Sequence, residues 1–544
     1  MPAMAEALES GAGVDVKTTS TSTGQTAASS GGSSEDLPTV GDIIESIGFG
    51  FSQFRATMLG GGMFLADGAE LLLISSVAKA VSHDWNLQAM ERGMLVTIVF
   101  LGILGGNIAS GLLSEAVGRK SVITWSYLGL FTFSIASSFA AGLRTLMVSR
   151  LLVGTFIGLG QPAWNSIGAE IMPSAWRIFA LAGAFCMFSV GELYSASLLL
   201  ADDPSLLYLH WRKLLRRGAI PGGCLALGAL LFLNESPVYL AVRGRRKEAQ
   251  EVLTEMHQQN GITQVRTDYR EPGNGSPAKG TNGTWFELLS RQGEIIFGQR
   301  LRGTTFVIMY SCFVLNFCYY GCMYAFPQVL AEVLAYRSAA SQLLIGALWE
   351  FPGNAVGFLI GFFVPRKLGM KVYLVSQAIF MSAFVTGARA VAHGSSNWFF
   401  ELCLYVGYYG VKTVGTAGFS VVYTYSSEIY PTEARSTGSA VNIAGGRAGS
   451  MLAPLVFEAM TDATGSFHMF FVSMILASLL NMCLIDTLRF ETANMRLADS
   501  VDDHIDQQAE VASIVASDKK QSPIVASGKK YGATTSSSGS ESLA

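Results

Sequence analysis

Charged residues are scarce in this chain of 544 residues. Asp, Glu, Lys and Arg together make up 14% of it, and hydrophobic residues make up 50%. Soluble globular proteins carry about 25% charged residues, so this composition indicates a protein that is solvated by lipid. The length alone would fit several soluble domains, but the distribution of apolar residues argues against them.

The absence of several other sequence features excludes or disfavours particular classes of function. The formal net charge of -3 leaves no basic surface for nucleic acid, so no nucleic-acid partner is expected. The seven cysteines lie in apolar runs without zinc-type spacing, which favours neither a disulfide framework nor a metal site. No Gly-x-x-x-x-Gly-Lys-Ser/Thr sequence occurs, which disfavours an ATP-driven pump. We expect no signal peptide, no cofactor and no enzymatic activity.

Apolar windows long enough to cross the hydrocarbon core, about 20 residues each, recur along the chain. They lie at 58–80, 94–113, 122–141, 146–167, 179–200, 218–233, 304–334, 343–364, 372–391, 398–423, 438–460 and 467–486. The sequence therefore predicts an all-α membrane protein with twelve transmembrane helices in two six-helix pseudo-repeats. The predicted organisation is a disordered tail at 1–40, helix bundles at 41–234 and 303–488, a cytoplasmic linker at 235–302, and a second disordered tail at 489–544.

Basic residues in the loops bear on the orientation. An even number of spans places both termini and the linker on one side of the membrane. Short loops on that side carry Arg119, Lys120, Arg366 and Lys367, which favours a cytoplasmic location. The loop at 201–217 on the opposite side is also basic and weakens this count. We predict cytoplasmic termini, in the plasma membrane or an intracellular vesicle membrane.

Short motifs at the ends of the spans resemble those of the major facilitator superfamily. Gly111-Leu-Leu-Ser-Glu-Ala-Val-Gly-Arg-Lys120 is similar to its loop G-x-x-x-D-R-x-G-R-K, with Glu115 in place of Asp and Ala116 in place of Arg. Span four begins like that family's R-x-x-x-G-x-x-x-G, and an E-x-x-P-x-x-x-R element occurs once in each half. The resemblance implies a major facilitator fold and a conformational latch, which Ala116 weakens. The residues it assigns to the latch are Gly111, Glu115, Gly118, Arg119, Lys120, Arg150, Glu170, Arg177, Glu428 and Arg435.

Further segments resemble one branch of that superfamily, which contains the synaptic vesicle two-related proteins and the organic cation and organic anion transporters. They are Ile44–Phe54, Ala66-Asp-Gly-Ala-Glu70, Phe317-Cys-Tyr-Tyr-Gly321 and Glu350-Phe-Pro-Gly353. The resemblance runs from about residue 40 to 490. Span seven lacks the Gln-Gln pair of the sugar porters, which disfavours that branch.

Acidic residues within the apolar spans are candidates for binding a coupling ion, because an ionisable group at this depth is costly and usually functional. Asp67 and Glu70 are three residues apart and share one helix face, so one of them should take up a proton. Glu192 and Glu350 are single acids in spans five and eight. The alternative for all four is a structural role in bonds to neighbouring helices.

Basic and aromatic residues within the spans are candidates for substrate binding. The position of Arg447 matches an arginine of the organic anion transporters, and its guanidinium can bind a carboxylate through two hydrogen bonds. The alternative is a structural salt bridge from Arg447 to Glu350 or Asp67. The substrate-binding candidates are Arg447, Lys412, Tyr320, Tyr324, Tyr408 and Gln161.

These features predict a secondary active transporter of a small organic ion, anionic in our interpretation, with protons as the coupling ion and the lipid bilayer as its surroundings. The alternatives are a non-transporting membrane receptor or vesicle component on the same fold, a passive facilitator, and an organic cation carrier.

Overall fold

The structure is a computed structural model that describes residues 37–262, 267–270, 285–334, 338–395, 397–431, 434–488 and 491–492. Most of the two tails predicted at 1–40 and 489–544 therefore lies outside the described residues, as does part of the predicted linker. Within the described residues the structure is helical and contains no strand.

Twelve long helices follow one another in the described part of the chain. They are α1 (Phe51–Trp85), α2 (Ala89–Val117), α3 (Arg119–Ser138), α4 (Leu143–Ile171), α5 (Arg177–Asp202), α6 (Trp211–Phe232), α7 (Arg302–Val333), α8 (Ala339–Phe363), α9 (Arg366–Ala392), α10 (Trp398–Glu428), α11 (Arg435–Thr464) and α12 (His468–Ile485). Helix α6 consists of two segments that meet at Ala219. Each long helix overlaps one of the twelve predicted spans.

Shorter helices flank these long ones. Val40–Ile47 precedes α1, and Pro237–Val242, Arg246–Gln259 and Trp285–Ile296 follow α6. The first is stabilised by a reciprocal cap, in which Asp42 accepts hydrogen bonds from Thr39 and its pKa falls below the ordinary value because of them. The helix Arg246–Gln259 lies within the segment 235–302 that was predicted as a linker.

Eight of the twelve long helices are long and apolar enough to cross a membrane. The other four, α1, α3, α10 and α11, are long enough but are not apolar enough in composition. Three of these carry ionisable residues of the predicted sites: Asp67 and Glu70 on α1, Lys412 on α10 and Arg447 on α11. The all-α fold is confirmed, and the crossing of the membrane by all twelve helices stays a prediction.

Close packing between helices depends on small residues at the contact. A Cβ atom on Gly102 of α2 would lie 2.2 Å from the carbonyl oxygen of Leu151, and one on Gly154 of α4 would lie 2.0 Å from that of Val99. Only glycine permits this approach of the two backbones, as expected where helices associate without a hydrophobic driving force. Gly154 belongs to the R-x-x-x-G-x-x-x-G motif of span four.

Short connections make consecutive helices antiparallel, so the bundle has two distinct ends. We call the end at which α6 finishes and α7 begins the linker side, and the opposite end the far side. We call α1–α6 the first set of helices and α7–α12 the second set. The two sets pack together mainly through α2 against α11 and through α5 against α8.

Candidate functional site

A cavity of about 500 Å³ lies between the two sets of helices and extends from the middle of the bundle toward the linker side. Most of its surface is apolar, seven of its lining residues are aromatic, and polar side chains lie among them. The residues that line it include Phe64, Asp67, Asn107, Gln161, Phe188, Tyr319, Tyr320, Asn354, Phe419, Tyr423 and Arg447. An apolar cavity with a few convergent polar groups is typical of a small-molecule site.

One polar chain crosses this cavity from α1 to α11. The side-chain amide nitrogen of Gln161, on α4, donates to Asp67 Oδ2 at 2.7 Å. The amide oxygen of Gln161 accepts from Arg447 Nη2 at 3.2 Å. Asp67 is 1% exposed and Arg447 is 8% exposed. Within the described structure, Asp67 Oδ1 and the Nε and Nη1 atoms of Arg447 have no hydrogen-bond partner.

The neighbouring acid of α1, Glu70, lies in a different environment. Its carboxylate accepts from Arg150 at 2.7 Å and from the hydroxyl of Ser134, and Arg150 also donates to Ser137 at 3.0 Å. Glu70 and Arg150 are both buried. The first arginine of the span-four motif therefore neutralises Glu70 within the first set, whereas Asp67 faces the cavity.

A second buried group of charges joins the two sets beside the cavity. Lys412 of α10 donates to Glu192 of α5 at 2.6 Å and also forms an ion pair with Glu350 of α8. The hydroxyl of Tyr319, which lines the cavity, lies 3.1 Å from Glu192 and 2.9 Å from Glu350. Ser189 donates to Glu350 at 2.7 Å. We call Glu192, Glu350, Lys412 and Tyr319 the carboxylate pair cluster.

The predicted aromatic residues are spread over several places. Tyr320 lines the cavity and packs edge-on against Phe100. Tyr324 lies toward the far side, where its hydroxyl donates to Glu458. Tyr408 packs edge-on against Phe326 with 4.7 Å between ring centroids. Of the predicted substrate residues, the cavity therefore brings together Arg447, Gln161 and Tyr320, while Lys412, Tyr324 and Tyr408 lie elsewhere in the described structure.

The predicted latch residues of the first set meet at the linker side. Arg119 forms an ion pair with Glu170 at 2.9 Å. The backbone amides of Arg119 and Lys120 donate to Glu235, at 3.1 Å and 3.2 Å, so this carboxylate caps the start of α3. Gly118 has φ +96°, and a Cβ there would lie 2.2 Å from Glu235 Oε2. Burial raises the pKa of Glu235 above its ordinary value, although these hydrogen bonds oppose the shift.

The second set repeats this arrangement in its own residues. Arg366 forms an ion pair with Glu428 at 3.1 Å. The backbone amides of Arg366 and Lys367 donate to Glu491, at 2.8 Å and 3.1 Å, so Glu491 caps α9 as Glu235 caps α3. These matching contacts are consistent with the two six-helix pseudo-repeats that the apolar windows predict.

The remaining latch residues lie near these clusters. Arg177 donates to the carbonyl of Met172 and Arg435 to that of Tyr430, both at 3.3 Å, which again matches between the sets. The side chain of Glu115 is exposed, as is Gly111. The backbone carbonyl of Glu115 accepts from Arg243 and Tyr239. The loop acid is thus not the partner of Arg119 in this conformation.

Sequence reasoning missed the ion pair on the far side. Arg92 of α2 donates to Glu458 of α11 through Nε at 2.7 Å and also through Nη2. Glu458 is fully buried and also accepts from Tyr324. The two partners are 366 residues apart, and each lies near the end of a predicted span. The sequence indicates this ion pair only through the position of a base, Arg92, beside the far end of span two and of an acid, Glu458, near the far end of span eleven.

The family is identified by sequence comparison. The sugar (and other) transporter family matches residues 44–497, which is most of the chain. This chain belongs to that family. Among similar members, organic cation/carnitine transporter 7 of Arabidopsis thaliana is 27% identical over 511 residues, covering 85% of this chain and 96% of that protein. The synaptic vesicle 2-related protein of Bos taurus is 25% identical over 454 residues, covering 79% and 77%.

The fold of this family member matches solved transporters. The partially occluded inward-open conformation of the xylose transporter XylE from E. coli superimposes with a TM-score of 0.64 over 82% of this chain and 99% of that one, at 15% identity. The predicted major facilitator fold and the transporter class are therefore confirmed, and the chain is not an enzyme. It is a multi-pass membrane transporter of a small molecule.

Proposed function

We propose that this transporter is a secondary active carrier of a small organic anion that works by alternating access. The observation that carries the proposal is the guanidinium of Arg447, which lines the cavity and has two nitrogen atoms without a partner among the described residues. An arginine stays charged at any accessible pH, and a buried charge is stable only when it is paired. A carboxylate in the cavity would accept from these two nitrogens.

The aromatic residues of the cavity favour the organic part of such an anion. Tyr319, Tyr320 and Phe419 form edge-on contacts at centroid distances from 5.0 to 6.2 Å and present a rigid surface to the cavity. Aromatic rings bury large apolar areas at fixed geometry. An organic cation carrier is disfavoured because the positive charge of Arg447, which lines the cavity, would repel a cation.

We further propose that the carboxylate pair cluster carries the coupling proton. With both carboxylates ionised, Glu192, Glu350 and Lys412 would bury one net negative charge, which is costly. The hydroxyl of Tyr319 has one hydrogen and so can donate to only one of these two acids. The hydroxyl of Tyr319 lies close to both Glu192 and Glu350. Both contacts are hydrogen bonds when one of these two carboxyl groups is protonated and donates to the oxygen of Tyr319.

The structure favours this cluster over Glu70 as the proton site. The carboxylate of Glu70 already has Arg150 and Ser134 as partners, all within the first set. The cluster instead joins α5 of the first set to α8 and α10 of the second set. Protonation there changes a bond that must break when the two sets move relative to one another.

Uptake into proteoliposomes tests the anion role of Arg447. We expect concentrative uptake of labelled organic carboxylates by the wild type and a loss of more than about 30-fold in apparent affinity for Arg447→Ala, since one partner of a desolvated pair is removed. Arg447→Lys should recover part of the affinity. Arg144→Ala, at an exposed site outside the cavity, is the control. Equal affinity of wild type and Arg447→Ala would reject this role.

A pH gradient tests coupling in the same vesicles. Glu192→Gln and Glu350→Gln keep the size and hydrogen-bonding capacity of the side chain but cannot titrate. Each should abolish accumulation driven by the gradient while exchange of substrate continues. Glu332→Gln, at an exposed position of α7, is the control. Uptake by the wild type that ignores the gradient would favour a passive facilitator, and no uptake of any carboxylate would favour a receptor.

We also propose cytoplasmic termini and a location in the plasma membrane or a vesicle membrane. The basic residues Arg119, Lys120, Arg366 and Lys367 on the linker side support this orientation. The linker contains an N-glycosylation acceptor pattern at Asn282, which lies outside the described residues. Sensitivity to endoglycosidase that disappears in Asn282→Gln would overturn the orientation.

A further inference from the structure

The cavity contains an unpartnered acceptor as well as unpartnered donors. Asp67 Oδ1 has no hydrogen-bond partner among the described residues, and Asp67 lines the same cavity as Arg447. The two side chains come from opposite sets of helices. Gln161 contacts both, with one amide group spanning the gap between them. A buried polar atom left without a partner costs free energy that a ligand can recover.

The charge balance of the cavity limits what can fill it. Asp67 and Arg447 together are neutral when both are ionised, and the nearby acid Glu70 is already neutralised by Arg150. With both side chains ionised, a ligand with one negative charge would leave one net negative charge in this mainly apolar cavity, at a desolvation cost. A ligand with one charge of each sign keeps the site neutral and can pair with both side chains.

We infer that the substrate is a zwitterion, in which a carboxylate binds Arg447 and a protonated nitrogen on the same small molecule donates to Asp67. This inference rests on the proposed role of Arg447 and adds the second charge. The amide of Gln161 already bonds to both side chains, so a ligand lying alongside it needs its donor and its anionic group only a few bonds apart. An amino carboxylate with an apolar or aromatic body meets these conditions.

A matched set of probes separates the two charges. 3-Phenylpropanoate carries only the anion, 2-phenylethylamine only the cation, and phenylalanine both, on one phenylethyl body. The same triad on an ethyl body (propanoate, ethylamine, alanine) and on a 3-methylbutyl body (4-methylpentanoate, 3-methylbutylamine, leucine) covers smaller ligands. Binding to the purified full-length protein is measured by calorimetry. For at least one body, the amino acid should bind about tenfold or more tightly than either single-charge probe.

The variant Asp67→Asn should reverse that order. Its cavity carries the unpaired positive charge of Arg447, so a simple carboxylate restores neutrality and an amino acid does not. The simple carboxylate should gain about tenfold or more in affinity relative to the amino acid. Asp462→Asn, an exposed change on α11, should leave the wild-type order unchanged. Melting temperatures of all variants show whether they are folded.

The outcomes distinguish this inference from the proposed function. If simple carboxylates bind wild type as tightly as the amino acids, or Asp67→Asn keeps the wild-type order, the zwitterion inference is wrong and anion transport stands. If the amines bind more tightly than both the carboxylates and the amino acids, or no triad binds on any of the three bodies, both are rejected.

Discussion

The two ends of the helix bundle are held together in different ways. On the linker side, Arg119–Glu170 joins helices of the first set, and Arg366–Glu428 joins helices of the second set. On the far side, the ion pair between Arg92 and Glu458 connects one set to the other. The repeated motifs therefore stabilise each set internally, whereas a contact outside the repeats holds one end of the cavity closed.

This difference is consistent with a conformation in which the far side of the cavity is closed. Thr97 of α2 donates to the carbonyl of Met451 of α11, and the amide of Ala340 donates to the carbonyl of Pro204, so further bonds between the sets lie on the far side. The cavity extends instead toward the linker side. For alternating access the far-side bonds must break, while the ion pairs within each set remain intact.

The largest effect is expected from breaking the far-side ion pair. Arg92→Ala leaves the buried carboxylate of Glu458 without its cation, which should cost the closed state about 3–5 kcal/mol. We expect much faster labelling, by a membrane-impermeant maleimide, of a cysteine introduced at Thr97 in a background without other exposed cysteines. Arg92→Lys should show an intermediate rate. Labelling of Arg92→Ala at the rate of the unsubstituted background would mean that this pair does not close the far side.

A smaller effect is expected from the pairs within each set. Arg119→Ala and Arg366→Ala should each lower stability by about 1 kcal/mol, because both pairs are partly solvent-exposed. The two losses should be similar because the contacts match. Labelling of the cysteine introduced at Thr97 should proceed at the same rate with and without either substitution. A change in that rate, measured alongside the melting temperature, would show that these pairs also control the exchange between states.

The smallest effect concerns Glu235 at the start of α3. Burial raises the pKa of Glu235 above its ordinary value of 4.5, so the folded protein binds this proton more tightly than the unfolded chain. The contribution to stability is therefore present at low pH and is lost as pH rises through the raised pKa. Glu235→Gln should flatten this part of the melting profile by at most about 1 kcal/mol. A profile of unchanged slope in this variant would assign the pH dependence to another group.

The fold could be predicted from the sequence because lipid imposes a simple length and composition rule. The window at 304–334, for example, corresponds to Arg302–Val333, and that at 343–364 to Ala339–Phe363. Even Glu192, Glu350 and Lys412 could be singled out, since an ionisable residue within an apolar helix is conspicuous.

The pairing of these residues could not be predicted. Spacing along α1 placed Asp67 and Glu70 together as one proton site, but Glu70 pairs with Arg150 and Asp67 contacts Gln161. Helical spacing fixes neighbours on one helix, whereas these partners come from α4, and the choice depends on how α1 and α4 are rotated toward each other. For the same reason, the ion pair between Arg92 and Glu458 could not be predicted from the sequence.

The most direct test of alternating access measures one distance across each end of the bundle in the same preparation. Spin labels at the far ends of α2 and α11 report the far side, and labels at the linker-side ends of α5 and α8 report the linker side. Arg92→Ala is predicted to lengthen the far-side distance and shorten the linker-side distance together. A far side that opens while the linker side keeps its distance, or two distances that lengthen together, would contradict alternating access.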